Sequence, residues 1–448
     1  MTVPATPRGA WKSSAGFIIA AVGSAVGLGN LWRFSYTASN GGGAAFVVLY
    51  LVLVLTVGLP VLTAELTVGR ATGLSPIRAL ERIGGRGWRI VGAMFVLLGF
   101  LIFSYYSVIM GWTARMIWDS ARGAIPADTG AYFGAISTGK AAVLWHAAGM
   151  MLTIWIVLGG IRQGIERAAT ILMPILFALL VGLATWAATL HGGGAGYAFY
   201  LKPDFRALLN LDLIASAAAQ AFFSLSLGMG AMITYASYIQ TKELNLPKQA
   251  GIIALSDTAV AFIGGLVVFP IIFHFGLQES ISSSAIGALF IALPKAFHSL
   301  VPGGALIGTI FFIALYIAAL TSAISLLEVV VAGIIDAWGW SREQAALTAG
   351  GAILLVGIPS ALSLDWMGFL DKFLGEAMLA VGGILIAILT GWVWSEGADA
   401  ELAHGFRYPA LRRVWIWLLR LVIPVILAAV AYTTFKQVVP LATALVRG

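Results

Sequence analysis

No cysteine occurs among the 448 residues, which excludes a disulfide framework, a thiolate metal site and a thiol nucleophile. Charge is nearly as scarce: 10% of residues are Asp, Glu, Lys or Arg, against about 25% in an ordinary soluble domain. So few charges cannot clothe a water-facing surface, and a soluble protein of two or three domains is excluded. The histidines (His146, His191, His274, His298 and His404) are scattered without ligand spacing, and no nucleophile–base set accompanies them, so an embedded enzyme finds no support. The net charge of +7 is assigned to loops at a membrane surface; nucleic acid is not an expected partner and the lipid bilayer is.

What is abundant is apolar: 60% of the chain is hydrophobic and 53 residues are glycine. A bilayer-spanning helix needs about 20 mostly apolar residues. Such stretches run over 15–38, 44–69, 88–118, 141–159, 167–190, 212–240, 248–277, 303–337, 343–363, 370–395 and 411–433. The expectation is an all-α polytopic membrane protein with eleven transmembrane helices. The first stretch is read as a span and not as a cleaved signal peptide, because it is glycine-rich and no small-residue cleavage site follows. The final fourteen or so residues are too few to cross again. Between the seventh and eighth spans, 279–302 turns from polar to amphipathic and is expected to form an external helical loop. Trp112, Trp118, Trp338, Trp340, Trp392 and Trp394 fall near span ends, where interfacial anchors sit.

Lysine and arginine set the orientation. With the N-terminus inside, the cytoplasmic face carries Arg70, Arg78, Arg82, Arg86 and Arg89 in one loop, with Arg162, Arg167, Arg342, Arg412 and Arg413 in others. The C-terminus is then outside.

Two spans are interrupted by glycine in the same way. The first holds Gly23, Gly27 and Gly29 beside Ser24 and Asn30; the sixth holds Gly228 and Gly230 beside Ser224 and Ser226. Glycine disfavours a helix interior by about 1 kcal/mol relative to alanine. By itself it is read equally well as close helix packing or as unwinding. Polar neighbours at the same depth favour unwinding, and matching breaks in two halves are the pattern of inverted-repeat transporters.

The runs GSAVGLGNLWRF, NGGGAAF, GLPVLTAELTVGR, SYYSVIMGW, FFSLSLGMGAMITYASY and AALTSAISLLEVVV, in this order along the chain, resemble the neurotransmitter:sodium symporter family. The resemblance implies a leucine-transporter-type 5+5 inverted repeat with unwound helices 1 and 6. Residues 1–14 would be a cytoplasmic segment with the inner gate, 15–190 the first repeat, 191–395 the second with its loop helix near 279–302, and 396–448 the eleventh span and tail. It also implies sodium-coupled amino-acid uptake by alternating access, with no organic cofactor and no obligate protein partner. A twelfth span and a glycosylation sequon in the second outer loop are missing, which suggests a bacterial member in the inner membrane.

Residue by residue, the first sodium site implied is Ala25 (carbonyl), Asn30, Ser224 and Asp257, completed by the substrate carboxylate. The second is Gly23, Val26 and Ala318 (carbonyls) with the hydroxyls of Thr321 and Ser322; back-bonding within the helix is the competing reading of those hydroxyls. Asp257 stands where chloride-requiring relatives have asparagine, and Ala261 where they have serine. An intramembrane acid is a functional candidate by default, so Asp257 is expected to supply the fixed negative charge and make chloride unnecessary.

The substrate residues implied are Ala25, Leu28, Gly29, Ile102, Tyr106, Phe223, Ser226, Met229, Ser322 and Leu326. Gly27 replaces the aspartate of monoamine-carrying relatives, which points to an α-amino acid, and the uncharged side-chain pocket to a hydrophobic or aromatic one. The outer gate implied is Arg33 with Asp371, and the inner gate Arg8 with Asp336, capped by Trp11. Thr321, Ser325, Glu328 and Asp336 share one helical stripe leading toward the cytoplasm. Glu328 is expected to line the exit or to bond the backbone of the first or fifth span, and Glu65 to brace the broken sixth. Gly164, ten residues before Pro174, marks a weak end of the fifth span. A sensor or a proton-coupled carrier on the same fold is the alternative, although proton-coupled carriers commonly replace the second sodium site with a cation and Thr321 and Ser322 are intact here.

Overall fold

A computed structural model describes residues 9–279, 285–300 and 302–447, and within them the chain is helical throughout. The helices used below are α1 (Ser14–Ala25), α2 (Gly29–Asn40), α3 (Ala44–Thr72), α4 (Trp88–Ala121), α5 (Gly139–Leu158), α6 (Gly160–Ala187), α7 (Leu211–Ser224), α8 (Ala231–Ala236), α9 (Leu246–His274), α10 (Gly304–Trp338), α11 (Arg342–Leu362), α12 (Leu364–Val393) and α13 (Pro409–Thr443). Nine of these are long and apolar enough to cross a membrane, ten if α1 and α2 count as one bent span. The expected eleven includes the sixth stretch, which is divided here into α7 and α8, each too short to be counted on its own.

Helix ends follow local chemistry. Asn245 accepts from the Lys248 amide and opens α9 with a proline in its first turn. Ser341 and Gln344 form a reciprocal capping box at the start of α11. Gly339, at φ +70°, closes α10 by donating to the Ile335 carbonyl.

Burial ranks the helices. In its most apolar stretch α10 is 83% buried and α6 only 28%. The central helix therefore packs against α1, α4 and α6, while α5, α6 and α13 show side chains such as Trp155, Ile171 and Val425 outward. Two expectations on element limits and one on a tryptophan differ from the structure. The fifth span begins at Gly160, not 167, with a wide π-helical turn over Gly160–Glu166. The last helix runs on to Arg447, past the expected span end at 433. Trp112 is not an interfacial anchor: it is buried, and its indole donates to the Ser137 carbonyl at 3.0 Å between Phe133 and Phe290.

Candidate functional site

The two glycine-rich segments meet at the centre of the bundle. Between α1 and α2 the axis turns by 58°. Gly27 N–H donates to Asn30 Oδ1 at 2.8 Å and Leu28 N–H to the Tyr106 hydroxyl at 3.1 Å, so donors that lost helical partners are satisfied by side chains. The carbonyls released by the same break are also used. Ser24 O accepts from Ser226 at 3.0 Å and Ser322 at 3.1 Å, and Val26 O from Ser322 at 3.0 Å.

Between α7 and α8 the backbone turns through left-handed conformations at Ser226 (φ +53°), Gly228 (φ +81°) and Gly230 (φ +77°). A Cβ on Gly228 would stand 2.3 Å from the Leu379 carbonyl, so only glycine fits. The Gly228 amide donates to Glu65 Oε1 at 2.8 Å, as expected of a brace from α3.

One cluster of oxygens lies where α2, α7 and α9 converge. Asn30 Nδ2 donates to Asp257 Oδ1 at 2.7 Å and to Ser224 Oγ at 3.0 Å. Ser224 donates to Asp257 Oδ2 at 2.6 Å, with the Tyr50 hydroxyl 3.4 Å from that oxygen. Asp257 and Asn30 have no solvent exposure. A buried carboxylate bonded only by neutral groups, the Asn30 amide nitrogen and the Ser224 and Tyr50 hydroxyls, suits a hard monovalent cation; among the described residues no group of three or more His, Cys, Asp or Glu is placed to hold a metal ion.

A second set lies between α1 and α10. Thr321 Oγ1 is 3.1 Å from the carbonyls of Ile317 and Ala318 and 3.5 Å from that of Val26, which Ser322 also reaches. Gly23 faces them: a Cβ there would be 3.3 Å from Thr321. Back-bonding of Thr321 and proximity to the broken α1 thus coexist.

A cavity sits between the breaks, and all ten residues expected to meet substrate line it: Ala25, Leu28, Gly29, Ile102, Tyr106, Phe223, Ser226, Met229, Ser322 and Leu326. Asn30 and Ser224 line it too, so the acidic cluster and the cavity share a wall. Leu379 of α12 is a wall residue that the expectations from sequence do not include, although Glu376 lies one turn before it. The open space is about 30 Å³, roughly the share of one water in the liquid, so the walls must part to admit anything larger. Gly27 leaves no room for a side chain, since a Cβ would be 2.6 Å from Ser322 Oγ and 3.0 Å from the Tyr106 hydroxyl.

Above the cavity the direct ion pair is not the expected one, although the charge of Asp371 still acts on Arg33. Arg33 pairs with Glu376, not Asp371, and its guanidinium stacks 4.8 Å over the Phe223 ring. Glu376 lies in the π-helical turn Phe373–Met378, where Lys372 also reaches it at 3.1 Å. Asp371 instead accepts from the Tyr105 hydroxyl of α4 at 3.1 Å.

Below the cavity, Arg8 lies outside the described residues. Its expected partner Asp336 accepts from the Ser75 amide at 2.6 Å. Trp11 is buried, donates to the Tyr235 carbonyl at 2.8 Å and packs edge-on against Tyr235 and Tyr238. Glu328 bonds neither backbone expected for it. It is fully buried and held at 2.8 Å by both Arg342 terminal nitrogens, with the Tyr238 hydroxyl at 2.5 Å. Its place on the polar stripe follows from helical spacing; its partner, from the next helix, does not.

The chain matches the family model described as the sodium:neurotransmitter symporter family over residues 8–132 and 135–444. It is 34% identical to a sodium-dependent transporter of Methanocaldococcus jannaschii over 96% of this chain and 91% of that one. A sodium-dependent transporter of Bacillus subtilis is 35% identical, over 92% and 95%. Among solved structures, the crystal structure of MhsT in complex with L-phenylalanine superposes with a TM-score of 0.86 at 40% identity, covering 95% of this chain and 99% of that chain. The chain belongs to the sodium:neurotransmitter symporter family, a family of multi-pass membrane transporters and not of enzymes.

Proposed function

We propose that the chain is a sodium-coupled symporter that imports a hydrophobic or aromatic L-amino acid by alternating access. The observation that carries this reading is the shared wall: Asn30 and Ser224 belong both to the cavity and to the cluster around Asp257. A cation held by Ala25 O, Asn30, Ser224 and Asp257 would lie beside the α-carboxylate of an amino acid in the cavity, and each would favour the other. The Leu28 and Gly29 amides and the Tyr106 hydroxyl face that carboxylate, while the carbonyls of Ala25 and Phe223 and the Ser226 hydroxyl receive the amine. Ile102, Phe223, Met229, Ser322 and Leu326 offer the side chain an uncharged wall. That MhsT was crystallised with L-phenylalanine supports an aromatic substrate here.

A second sodium ion at Gly23, Val26, Ala318, Thr321 and Ser322 would tie α1 to α10. A tenfold sodium gradient is worth about 1.4 kcal/mol and 100 mV about 2.3 kcal/mol per charge. Two ions then supply about 7.4 kcal/mol, enough for roughly 10⁵-fold accumulation of a zwitterion, against several hundredfold for one ion. Asp257 supplies the negative charge that otherwise calls for chloride, so transport is chloride-independent.

The same reading counts α1–α2 and α7–α8 as two broken spans, giving eleven, with 15–190 and 191–395 as inverted repeats. It places the Arg70–Arg89 loop in the cytoplasm of a bacterial inner-membrane protein and the C-terminus outside. Arg33 with Glu376 and Phe223 closes the outer route; Trp11 and the Glu328–Arg342 pair close the inner one. Binding of tritiated L-phenylalanine to the purified protein tests the site: saturable binding in sodium and none in equimolar potassium is expected. Equal binding in both would favour a sensor or proton-coupled carrier on this fold.

A further inference from the structure

The outward flank of α6 holds a groove of about 780 Å³, bounded by α5, the wide turn of α6 and Leu320 of α10. Most of it is apolar: Trp155 and Ile171 stand 71% and 52% exposed on its rim, and buried Leu320 forms its inner wall, next to Thr321. One end is different. Gln163 and Arg167 line it, both exposed, and no carboxylate lies within 4.0 Å of Arg167 among the described residues. The neighbouring cations are engaged elsewhere: Arg162 donates to the Ala10 carbonyl at 3.1 Å, and Arg342 holds Glu328. An apolar slot that ends in a cation with no acid beside it complements an amphiphile with an anionic head.

We propose that this groove binds an anionic phospholipid of the cytoplasmic leaflet, its phosphate on Arg167 and Gln163 and one acyl chain along Trp155, Ile171 and Leu172 toward Leu320. Annular contact alone does not select among lipids, because their chains are alike. A guanidinium forks onto phosphate oxygens, and basic pockets on the cytoplasmic side of a helix bundle select anionic heads. The choice of leaflet rests on the orientation proposed above. The bound chain crosses Gly159 and Gly164, where α6 is wound wide, so the lipid covers the outward face of that turn.

The test uses full-length protein in nanodiscs of equimolar dioleoylphosphatidylglycerol and dioleoylphosphatidylcholine, with retained lipid identified by native mass spectrometry. Retention of phosphatidylglycerol several-fold above its bulk share is expected for the wild type. Arg167→Gln should abolish that enrichment, Ala168→Trp should block the groove and do the same without changing charge, and Arg206→Gln in an outer loop should leave it intact. Equal retention of the two lipids by the wild type, or undiminished enrichment in Arg167→Gln, overturns the proposal. Lipid retention is read without transport, so failure of the symport reading would leave this result interpretable.

Discussion

Asn30 and Asp257 meet at 2.7 Å in the interior of the bundle. One comes from the first turn of α2, just after the break, and the other from the middle of α9. Nothing in a helix propensity brings them together; the 58° bend between α1 and α2 does. Their contact places the only fully buried aspartate among the described residues against the wall of the cavity, where the proposed cation would adjoin the carboxylate of a bound amino acid.

Asp257→Asn removes that fixed charge. Transport in chloride-free medium is expected to fall at least about tenfold, the equivalent of about 1.4 kcal/mol, with added chloride restoring part of it. Uptake rates in chloride and gluconate measure this. Unchanged, chloride-indifferent uptake would contradict the assignment.

Gly27→Ala forces a methyl group to within 2.6 Å of Ser322 Oγ. Overpacking of this kind is worth about 1–3 kcal/mol, so substrate affinity should weaken about tenfold or more. Equilibrium binding of labelled amino acid at saturating sodium reads the change. Wild-type affinity would show that this wall of the cavity moves away when substrate enters.

The outer closure is expected to depend on Glu376 more than on Asp371, because the Arg33 side chain is paired with the former. The chain has no native cysteine, so Ile102→Cys gives a label site without background. Adding Glu376→Gln should raise the rate of modification by an impermeant thiol reagent several-fold, and Arg33→Gln should do the same. Adding Asp371→Asn should raise it less. The reverse ranking would return the gate to the pair expected from the family.

Glu328→Gln breaks a buried ion pair. Such a loss is typically about 3–5 kcal/mol, and the lower end applies here because the Arg342 side chain is 19% exposed. A lower melting temperature is expected, with part of the loss recovered in Glu328→Gln combined with Arg342→Gln. Additive losses in the double variant would mean that the two residues act independently.

The wide turn Gly160–Glu166 is wound with π geometry and begins at Gly160 with φ +73°. Its amides should exchange with deuterium faster than those of 175–187, and faster still when potassium replaces sodium. Uniform protection along α6 in both salts would argue that this end stays closed.

Much of the fold and of the site is legible in the sequence alone. The glycine clusters mark both breaks only in combination with the polar residues at the same depth, since glycine alone fits close helix packing equally well, and Asp257 stands out because an acid in lipid is costly. What is not legible depends on how one helix rotates against another. A π-helical turn in α12 turns Glu376 toward Arg33, while Tyr105 of α4 takes Asp371. Glu328 can be placed on its stripe, yet its partner Arg342 arrives from across the turn between α10 and α11. Leu379 enters the cavity wall only because α12 packs against the loop at Gly228. The limits of the fifth span are obscured for a simpler reason: Arg162 and Arg167 read as a loop, whereas both lie within the helix.

Uptake into proteoliposomes tests the central claim most directly. Purified protein is reconstituted with potassium inside, and labelled L-phenylalanine is offered in external sodium, potassium or choline. Accumulation well above equilibrium with sodium alone, abolished by collapsing the sodium gradient and steeper than first order in sodium, is the expected result. Equal accumulation in choline, or binding in sodium with no flux under any gradient, would contradict it.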